Sequence, residues 1–295
     1  MSRLWATIFP NVPHSLGPKM FDKRLTPARP DLAAEHLRGK VDAPRFAIGE
    51  LREIRDGITA LRREPRPDAP QDSELLFGET FTVYETDEEG WCWGQSMRDS
   101  YVGYVSANAL TLPTPKTHRL TALRSFIYPG LSIKLPPIEV ISLNSLLTVT
   151  RTEGDFLVLG NGGAIWASHA VPLVSAETDF VAVAEHFVGV PYLWGGRSSL
   201  GLDCSGLVQL AQQACGHDVL RDSDMQEQSL GAPVNGPFQR GDLVFWKGHV
   251  GIMQNGSQLL HANGFTMSVY SEPLAEARAR ILAKGGGEVT SLKRL

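Results

Sequence analysis

The sequence predicts an α+β fold in which two small β-barrels precede a mixed C-terminal domain. Short runs of alternating apolar and polar residues fill 71–175, whereas an amphipathic helix and consecutive strands follow from residue 176. One β pattern recurs after about 60 residues, since TVYETDEEGW (82–91) resembles TVTRTEGDF (148–156). A single irregular β domain is the alternative to two barrels. A helix followed by antiparallel strands is typical of an α+β domain.

Proline and glycine divide the chain into four predicted units. The proline-rich stretch EPRPDAP (64–70) disfavours regular structure and is interpreted as the first boundary. The segment ahead of it is expected to be extended and helical and to pack on the other domains, with a short helix at 31–39. The predicted units are 1–70, 71–113 (first barrel), 114–175 (second barrel) and 176–295 (C-terminal domain).

Composition excludes several classes of protein. The chain has 295 residues, a formal net charge of −4 and scattered basic residues, so no binding surface for nucleic acid or an anionic membrane is expected. The apolar run ahead of Pro10 is too short for a secretory leader, and no window approaches the about 18 apolar residues of a membrane span. We therefore expect a cytoplasmic protein, and nothing in the sequence indicates an obligatory protein partner.

Two helices are predicted at the start of the C-terminal domain. The first covers 178–189, with Thr178 as its N-cap and Gly189 as its end. The second follows Asp203, where apolar residues recur at i, i+3, i+4 and i+7 until Gly216 ends the pattern. Asp203 is the expected N-cap of this second helix.

Cysteine usage singles out Cys204 as a candidate nucleophile. The three cysteines are an odd count in a large chain, which argues against a disulfide framework. Cys204 lies in the first turn of the second predicted helix, where the partial positive charge and free N–H groups favour a thiolate and can stabilise an oxyanion. Cys215 lies at the opposite end of that helix, and it and Cys92 are interpreted as buried structural thiols.

A thiolate nucleophile needs a base, and the base needs an orienting group. His249 and His261 lie on adjacent predicted strands and complete a plausible Cys-His-His relay with Cys204. A two-residue turn at Asn255-Gly256 would put the two histidines on opposite faces of the hairpin. The relay therefore predicts an odd-length loop, such as Asn255-Gly256-Ser257, or a bend near His249.

Zinc is the competing use of one cysteine and two histidines. Close C-x₂-C and H-x₃-H pairs are missing from the sequence, and structural zinc needs four ligands. We expect neither a metal nor another cofactor.

Around these residues the sequence resembles the NlpC-type family of papain-like cysteine peptidases, which cut bacterial cell-wall peptides. The matching motifs are PYLWGGRSSLGLDCSGLVQ, LRDSDMQ, RGDLVFW and HVGIMQNGSQLLHA, in the family's order. The β-barrels resemble bacterial SH3 domains. This domain order is similar to that of the γ-D-glutamyl-L-diamino-acid endopeptidases (dipeptidyl-peptidase VI), which release L-Ala-γ-D-Glu from murein peptides with a free N-terminus.

The resemblance implies roles for individual residues. Cys204 corresponds to the nucleophile, His249 to the base and His261 to the third member. Asp203 is also explained as a helix cap, Ser205 as an ordinary first-turn serine and Tyr192 as a packing aromatic. The positions implied for site lining and substrate binding are Tyr192, Asp203, Ser205, Asp222 and Ser223, with Glu74 and Tyr101 from the first barrel.

The resulting expectation is a cytoplasmic cysteine endopeptidase that hydrolyses the bond between γ-D-Glu and lysine or diaminopimelate in murein-derived peptides. The barrels would block the groove beyond the dipeptide and so select free N-termini, as in recycling of wall fragments. Two alternatives remain: an SH3-based peptide-binding protein with an inert peptidase-like domain, and a cysteine acyltransferase of the same fold.

Overall fold

The structure, a computed structural model, describes residues 21–295. It confirms the α+β class, with β-barrel units followed by a mixed domain of helices and antiparallel strands. The expectations for residues 1–20, an extended path and no secretory leader, lie outside the described residues.

The N-terminal segment forms a small sheet where a short helix was predicted. Leu32, Ala33 and Ala34 are all buried, so they do not follow the helical spacing inferred for 31–39, and a nine-residue helix is too short to be stable alone. The sheet has three strands, with one antiparallel pair and one parallel pair. The strands are β1 (Ala28–Arg29), β2 (Leu32–Ala34) and β3 (Arg45–Ala47), with a 3₁₀ turn at Glu35–Leu37.

The first barrel begins earlier than the boundary predicted at residue 71. The strands are β4 (Glu50–Ile54), β5 (Ile58–Arg62), β6 (Gln71–Leu76), β7 (Thr80–Thr86), β8 (Trp91–Ser96), β9 (Val102–Ser106) and β10 (Leu110–Thr111). They form one seven-stranded sheet of order β10-β4-β7-β8-β9-β5-β6. EPRPDAP is the loop of the hairpin in which Arg62 pairs with Gln71, so proline interrupts regular structure there without ending the domain.

The second β unit consists of three small antiparallel sheets around a core of its own. A strand, a 3₁₀ turn and a short strand follow one another in both units, with the turns at Ala107–Ala109 and Ala167–His169, which is the structural form of the repeat in the sequence. The strands are β11 (His118–Leu120), β12 (Arg124–Ile127), β13 (Glu139–Ser142), β14 (Leu146–Leu147), β15 (Val149–Glu153), β16 (Phe156–Leu159), β17 (Ala164–Trp166) and β18 (Ala170–Pro172).

The C-terminal domain packs helices against a six-stranded sheet. Its helices are α1 (Phe180–Glu185), α2 (Cys204–Ala214), α3 (Ser223–Ser229) and α4 (Leu274–Ala283). Its strands are β19 (Arg197–Ser198), β20 (Gly201–Leu202), β21 (Ala232–Pro233), β22 (Leu243–Trp246), β23 (His249–Met253), β24 (Gln258–Asn263), β25 (Ser268–Pro273) and β26 (Ser291–Arg294). The sheet has the order β21-β26-β22-β23-β24-β25.

The first helix of this domain is shorter than predicted and has a different cap. Asp179, one residue after the expected Thr178, accepts hydrogen bonds from the N–H groups of Val181 and Ala182 at 2.9 and 3.2 Å. A carboxylate at this position also complements the helix dipole, which a threonine hydroxyl cannot do.

A buried ion pair joins the first barrel to the C-terminal domain. The guanidinium of Arg197 is fully buried and donates to both carboxylate oxygens of Glu79, at 2.7 and 2.9 Å. Leu76 of the first barrel and Leu143 of the second β unit belong to the same apolar core as α2. The barrels are therefore packed against the helix that carries Cys204.

Candidate active site

Helix α2 places Cys204 at its first position, as predicted. Asp203 has extended backbone angles, and its Oδ1 accepts a hydrogen bond from Gly206 N at 2.8 Å. The whole helix is buried against β23 and β24, and only 7% of Cys204 is exposed. The sulfur thus lies at the positive end of a buried helix, beside the strands that carry both histidines.

The prediction of a lowered thiol pKa is wrong. Burial, followed by the negative charge of Asp203, raises the pKa of Cys204 to about 12, although backbone hydrogen bonding from Val250 and Ser205 favours the thiolate. Desolvation opposes the charged form more strongly than the helix end supports it. At neutral pH Cys204 is a thiol, so its proton must leave as the sulfur attacks.

The hairpin between β23 and β24 has the odd-length loop that a Cys-His-His relay requires. Gln254 N donates to Gln258 O at 2.9 Å, which leaves Asn255-Gly256-Ser257 as a three-residue loop. Asn255 Oδ1 holds the loop by accepting from the N–H groups of Ser257 and Gln258. This register turns both histidines to one face.

The two histidine rings are in hydrogen-bond contact. His249 Nε2 lies 2.8 Å from His261 Nδ1, so the remaining nitrogen of His249, Nδ1, is left for Cys204. Burial first, and then the neighbouring His261 and Arg280, lower the pKa of His249 to about 3. His249 is therefore a neutral imidazole at physiological pH, which is the form that can accept a proton.

Glu272 and Arg280 extend this chain and were missed in the sequence. His261 Nε2 lies 2.7 Å from Glu272 Oε1, and Arg280 of α4 binds both oxygens of the same carboxylate. Burial opposes ionisation of Glu272, but the hydrogen bonds from His261 and Arg280 outweigh it and lower the pKa of Glu272 to about 2. The register of two strands is the signal that could have found Glu272. Tyr270 pairs with His261 across β24 and β25, and Glu272, two residues further along β25, lies on the same face of the sheet.

Hydrogen bonding fixes the tautomers along this chain. An ionised Glu272 only accepts, so His261 must donate from Nε2. An imidazole that donates from Nε2 presents, in its neutral form, a lone pair at Nδ1, and His249 Nε2 is the group that can donate to it. The lone pair of His249 consequently lies at Nδ1, which is what a base for Cys204 needs.

On the other side of Cys204, Asp203 is bound by a buried arginine that sequence reasoning also missed. Arg221 is fully buried and donates to Asp203 Oδ1 and Oδ2 at 2.9 and 2.7 Å. Arg221 donates further to Ser205 Oγ at 3.1 Å and to Ser73 Oγ of the first barrel at 3.1 Å. Because Gly195 N also donates to Asp203 Oδ2 at 3.0 Å, this carboxylate is saturated by protein donors.

Asp222 and Tyr101 are brought together at the junction of the two domains. Tyr101 Oη donates to Asp222 Oδ2 at 3.0 Å, and Arg24 Nη1 donates to the same oxygen at 2.8 Å. Burial raises the pKa of Asp222, although its charged neighbours, Arg221 foremost, oppose this. Ser223, the first residue of α3, is buried beside it.

The last two implied residues, Tyr192 and Glu74, lie apart from this pair. Tyr192 is half-buried against the core that contains Cys204, and burial, then the proximity of Cys204, raises its pKa. Glu74 is buried at the interface, where its Oε2 accepts from Arg197 N at 2.9 Å. Glu74 thus holds the segment that leads to α2.

Within 21–295, no cluster of three or more histidine, cysteine, aspartate or glutamate side chains is arranged to hold a metal ion. No helix in that part of the chain is long and apolar enough to cross a membrane.

Comparison with known proteins identifies families and relatives of this chain. The bacterial dipeptidyl-peptidase SH3 domain family matches residues 61–110, and the NlpC/P60 family matches residues 189–281. Dipeptidyl-peptidase 6 of Lysinibacillus sphaericus is 34% identical over 231 residues, which cover 69% of this chain and 84% of that protein. The γ-D-glutamyl-L-lysine dipeptidyl-peptidase of Bacillus subtilis (strain 168) is 29% identical over 255 residues, or 75% of this chain and 84% of that protein.

Among solved structures, an NlpC/P60 family protein from Bacillus cereus ATCC 10987 superimposes with a TM-score of 0.71. The match covers 83% of this chain and 99% of that one at 20% identity, and it confirms the fold. The chain belongs to the NlpC/P60 family of cysteine peptidases, with an SH3-like domain ahead of the peptidase domain.

Proposed function

We propose that this peptidase hydrolyses the bond between γ-D-Glu and the following L-diamino acid, lysine or diaminopimelate, in murein peptides with a free N-terminal L-Ala. The observation that carries the proposal is the 3.0 Å contact between Tyr101 Oη and Asp222 Oδ2. This contact holds an acidic group against the first barrel, which supports a groove that binds an ammonium at this end and excludes a longer peptide.

The proposed chemical step uses Cys204 together with the hydrogen-bonded pair His249 and His261. His249 Nδ1 takes the thiol proton of Cys204 as the sulfur attacks the γ-carbonyl carbon of D-Glu. N–H groups at the start of α2 stabilise the resulting oxyanion, and Tyr192 lines the site. His249 then passes the proton to the departing amine as the C–N bond breaks, and water hydrolyses the thioester with His249 again as base.

Asp222 is the proposed anchor for the free amine of L-Ala. Its Oδ2 accepts from Tyr101 and Arg24, whereas Oδ1 accepts no hydrogen bond from the residues that the structure describes. Asp203 has no such capacity, because Arg221 and backbone N–H groups occupy both of its oxygens. We therefore assign Asp203 a positioning role.

The remaining polar residues on this side are assigned to the dipeptide. Ser205 Oγ is hydrogen-bonded to Asp203 and Arg221, and Ser223 is buried next to Asp222 in the chain. Both serines are proposed to line the position of the α-carboxylate of D-Glu. Glu74 is proposed to act on the substrate through the segment it holds rather than by direct contact.

A pair of peptides tests the proposal. L-Ala-γ-D-Glu-L-Lys and its N-acetylated form are incubated with the enzyme and with the Cys204→Ala variant. We expect cleavage of the free peptide alone, and none by the variant. Equal cleavage of both peptides would exclude selection by the amine, and tight binding without cleavage would indicate a peptide-binding protein.

A requirement for a free N-terminus places the enzyme after the step that removes the peptide from its sugar. Intact wall peptides are acylated at L-Ala and would not fit the blocked groove. We therefore propose a cytoplasmic role in recycling wall fragments, which a cell-fractionation experiment with an antibody to the protein tests.

A further inference from the structure

A cavity of about 230 Å³ opens beside His249 and His261. Trp246, Phe265 and the face of α4 that carries Arg280 complete its walls. The residues proposed to bind the dipeptide, Asp222 and Tyr101 among them, do not line it. Because His249 gives its proton to the departing amine, the residue that owns this amine must lie against His249. On the proposed function, the cavity therefore faces the leaving diamino acid.

The cavity is lined by cations without matching anions. Lys247, Arg280 and Lys284 all border it, and no aspartate or glutamate is among its described lining residues. Arg280 is paired with Glu272. Lys247 and Lys284 are exposed and form no ion pair within 21–295, and Lys284 Nζ lies 4.4 Å from the centre of the Phe265 ring. Two positive charges are thus uncompensated.

Asn263 adds an unused hydrogen-bond donor to the cavity wall. It is only 6% exposed, and its Oδ1 accepts from the N–H groups of Phe265 and Thr266 at 3.0 and 2.8 Å. Its Nδ2 is buried and lacks an acceptor among the described residues. An unpaired buried N–H is costly unless an acceptor arrives with a ligand.

We propose that this cavity binds a carboxylate on the side chain of the leaving residue, so that the enzyme prefers diaminopimelate to lysine. This inference rests on the proposed function and deepens it. The side chain of diaminopimelate ends in a carboxylate and an ammonium with no net charge, and the carboxylate can pair with Lys247 and Lys284. The lysine side chain instead brings a third ammonium among two unpaired ones, which is repulsive.

Three peptides that differ only in the leaving residue test the inference. L-Ala-γ-D-Glu is followed by L-Lys, by meso-diaminopimelate, or by diaminopimelate with its side-chain carboxylate amidated. We expect kcat/KM for the carboxylate peptide to exceed the other two by about 2- to 5-fold, the range of an exposed ion pair. Equal values for the three peptides would overturn the inference.

Charge reversal distinguishes binding of the side-chain carboxylate of the leaving residue from binding of its α-carboxylate. The double variant Lys247→Glu, Lys284→Glu is expected to reverse the preference, because its carboxylates attract the lysine ammonium and repel the diaminopimelate carboxylate. Cleavage of the lysine peptide also shows that the variant is folded. The matched control Lys134→Glu changes an exposed lysine of the second β unit and should leave the ratio unchanged. An equal loss for all three peptides would mean that the lysines bind the α-carboxylate, and would contradict the inference.

Binding to the Cys204→Ala variant distinguishes this inference from the proposed function. Calorimetry with the three uncleaved peptides should give the same order of affinity. If the wild type cleaves none of them while the variant binds the diaminopimelate peptide more tightly than the other two, the proposed activity fails and the cavity assignment stands. If binding shows no preference, the cavity assignment fails whatever the activity.

Discussion

His261 Nε2 lies 2.7 Å from Glu272 Oε1, so that a carboxylate ends the chain of hydrogen bonds which begins at His249. Ionised Glu272 accepts hydrogen bonds and cannot donate them, and this determines which nitrogen of each histidine ring carries the proton. Arg280 keeps Glu272 ionised from the opposite side. A positioning role of Glu272 in catalysis follows from these contacts.

Glu272→Gln should lower kcat more than it changes KM. The amide can donate to His261 Nε2, which would move the His261 proton to Nδ1 and favour the wrong tautomer of His249. We expect a loss of kcat of about 10-fold or more, since general acid–base contributions reach about 100-fold and above. Steady-state kinetics test this, with Glu288→Gln at an exposed site as the matched control. An unchanged kcat would exclude the tautomer argument.

Glu272 and Arg280 are predicted to shift the pKa of His249 in opposite directions. The negative charge of Glu272 raises the pKa of His249 and the positive charge of Arg280 lowers it. Glu272→Gln should therefore move the titration to lower pH, and Arg280→Gln should move it to higher pH. Imidazole NMR signals of the two variants and the wild type measure the direction. Shifts in the same direction would contradict an electrostatic origin.

Acid should destabilise the protein in two stages. The pKa of His249 is lowered from 6.5 to about 3, so the folded state binds fewer protons than the unfolded state and stability falls as the pH drops through that window. The pKa of Glu272 is lowered from 4.5 to about 2, so its contribution is complete above pH 4.5 and is lost toward pH 2. His249→Gln should thus show a smaller fall in Tm between pH 7 and pH 4 than the wild type. An identical fall would exclude His249 as a source.

Asp222→Asn should weaken turnover of free peptides selectively. Loss of a charge-assisted hydrogen bond to the substrate ammonium is worth about 1.5–3 kcal/mol, which corresponds to about 10- to 100-fold in kcat/KM. Asp224→Asn is the matched control, because Asp224 also binds Arg24, at 2.9 Å, but is exposed. Comparable losses in the two variants would point to Arg24 rather than to the substrate. The measurement is kcat/KM for L-Ala-γ-D-Glu-L-Lys.

Arg197→Met should destabilise the interface between the first barrel and the peptidase domain. The variant leaves Glu79 buried at 2% exposure without its cation, and breaking such a pair costs about 3–5 kcal/mol. The double variant Arg197→Met, Glu79→Leu should recover much of this loss, because neither charge then remains buried. Thermal unfolding of both variants tests the pair, and equal Tm values for the single and double variants would disprove the coupling.

Local patterns were sufficient for part of the site. The apolar stripe and the acidic cap before Cys204 predicted α2 and its first residue. The need for both histidines to lie on one face predicted an odd-length loop or a bend near His249. Both depend on contacts between near neighbours in the chain, whose geometry is regular. The same reasoning failed for Asp179, since a threonine and an aspartate in succession are both good caps.

Contacts between distant parts of the chain could not be predicted in this way. Arg24 and Asp222 are 198 residues apart, and no periodicity relates them. The domain boundary was misplaced because proline disrupts a hairpin loop and a linker alike. The thiol pKa was wrong for a related reason: the helix end is visible in the sequence, whereas the depth at which α2 is buried is a property of the assembled domains.

The three-residue loop of the β23–β24 hairpin has a consequence for comparing related sequences. His249 and His261 are 12 positions apart, and at this even separation their side chains share a face because the loop between the strands has an odd number of residues. Relatives can insert residues within the loop and keep the pair, but a single residue inserted in a strand between the loop and either histidine must be absorbed by a bulge. The place of an insertion can therefore be used to separate active peptidases from homologues that retain both histidines but have lost their alignment.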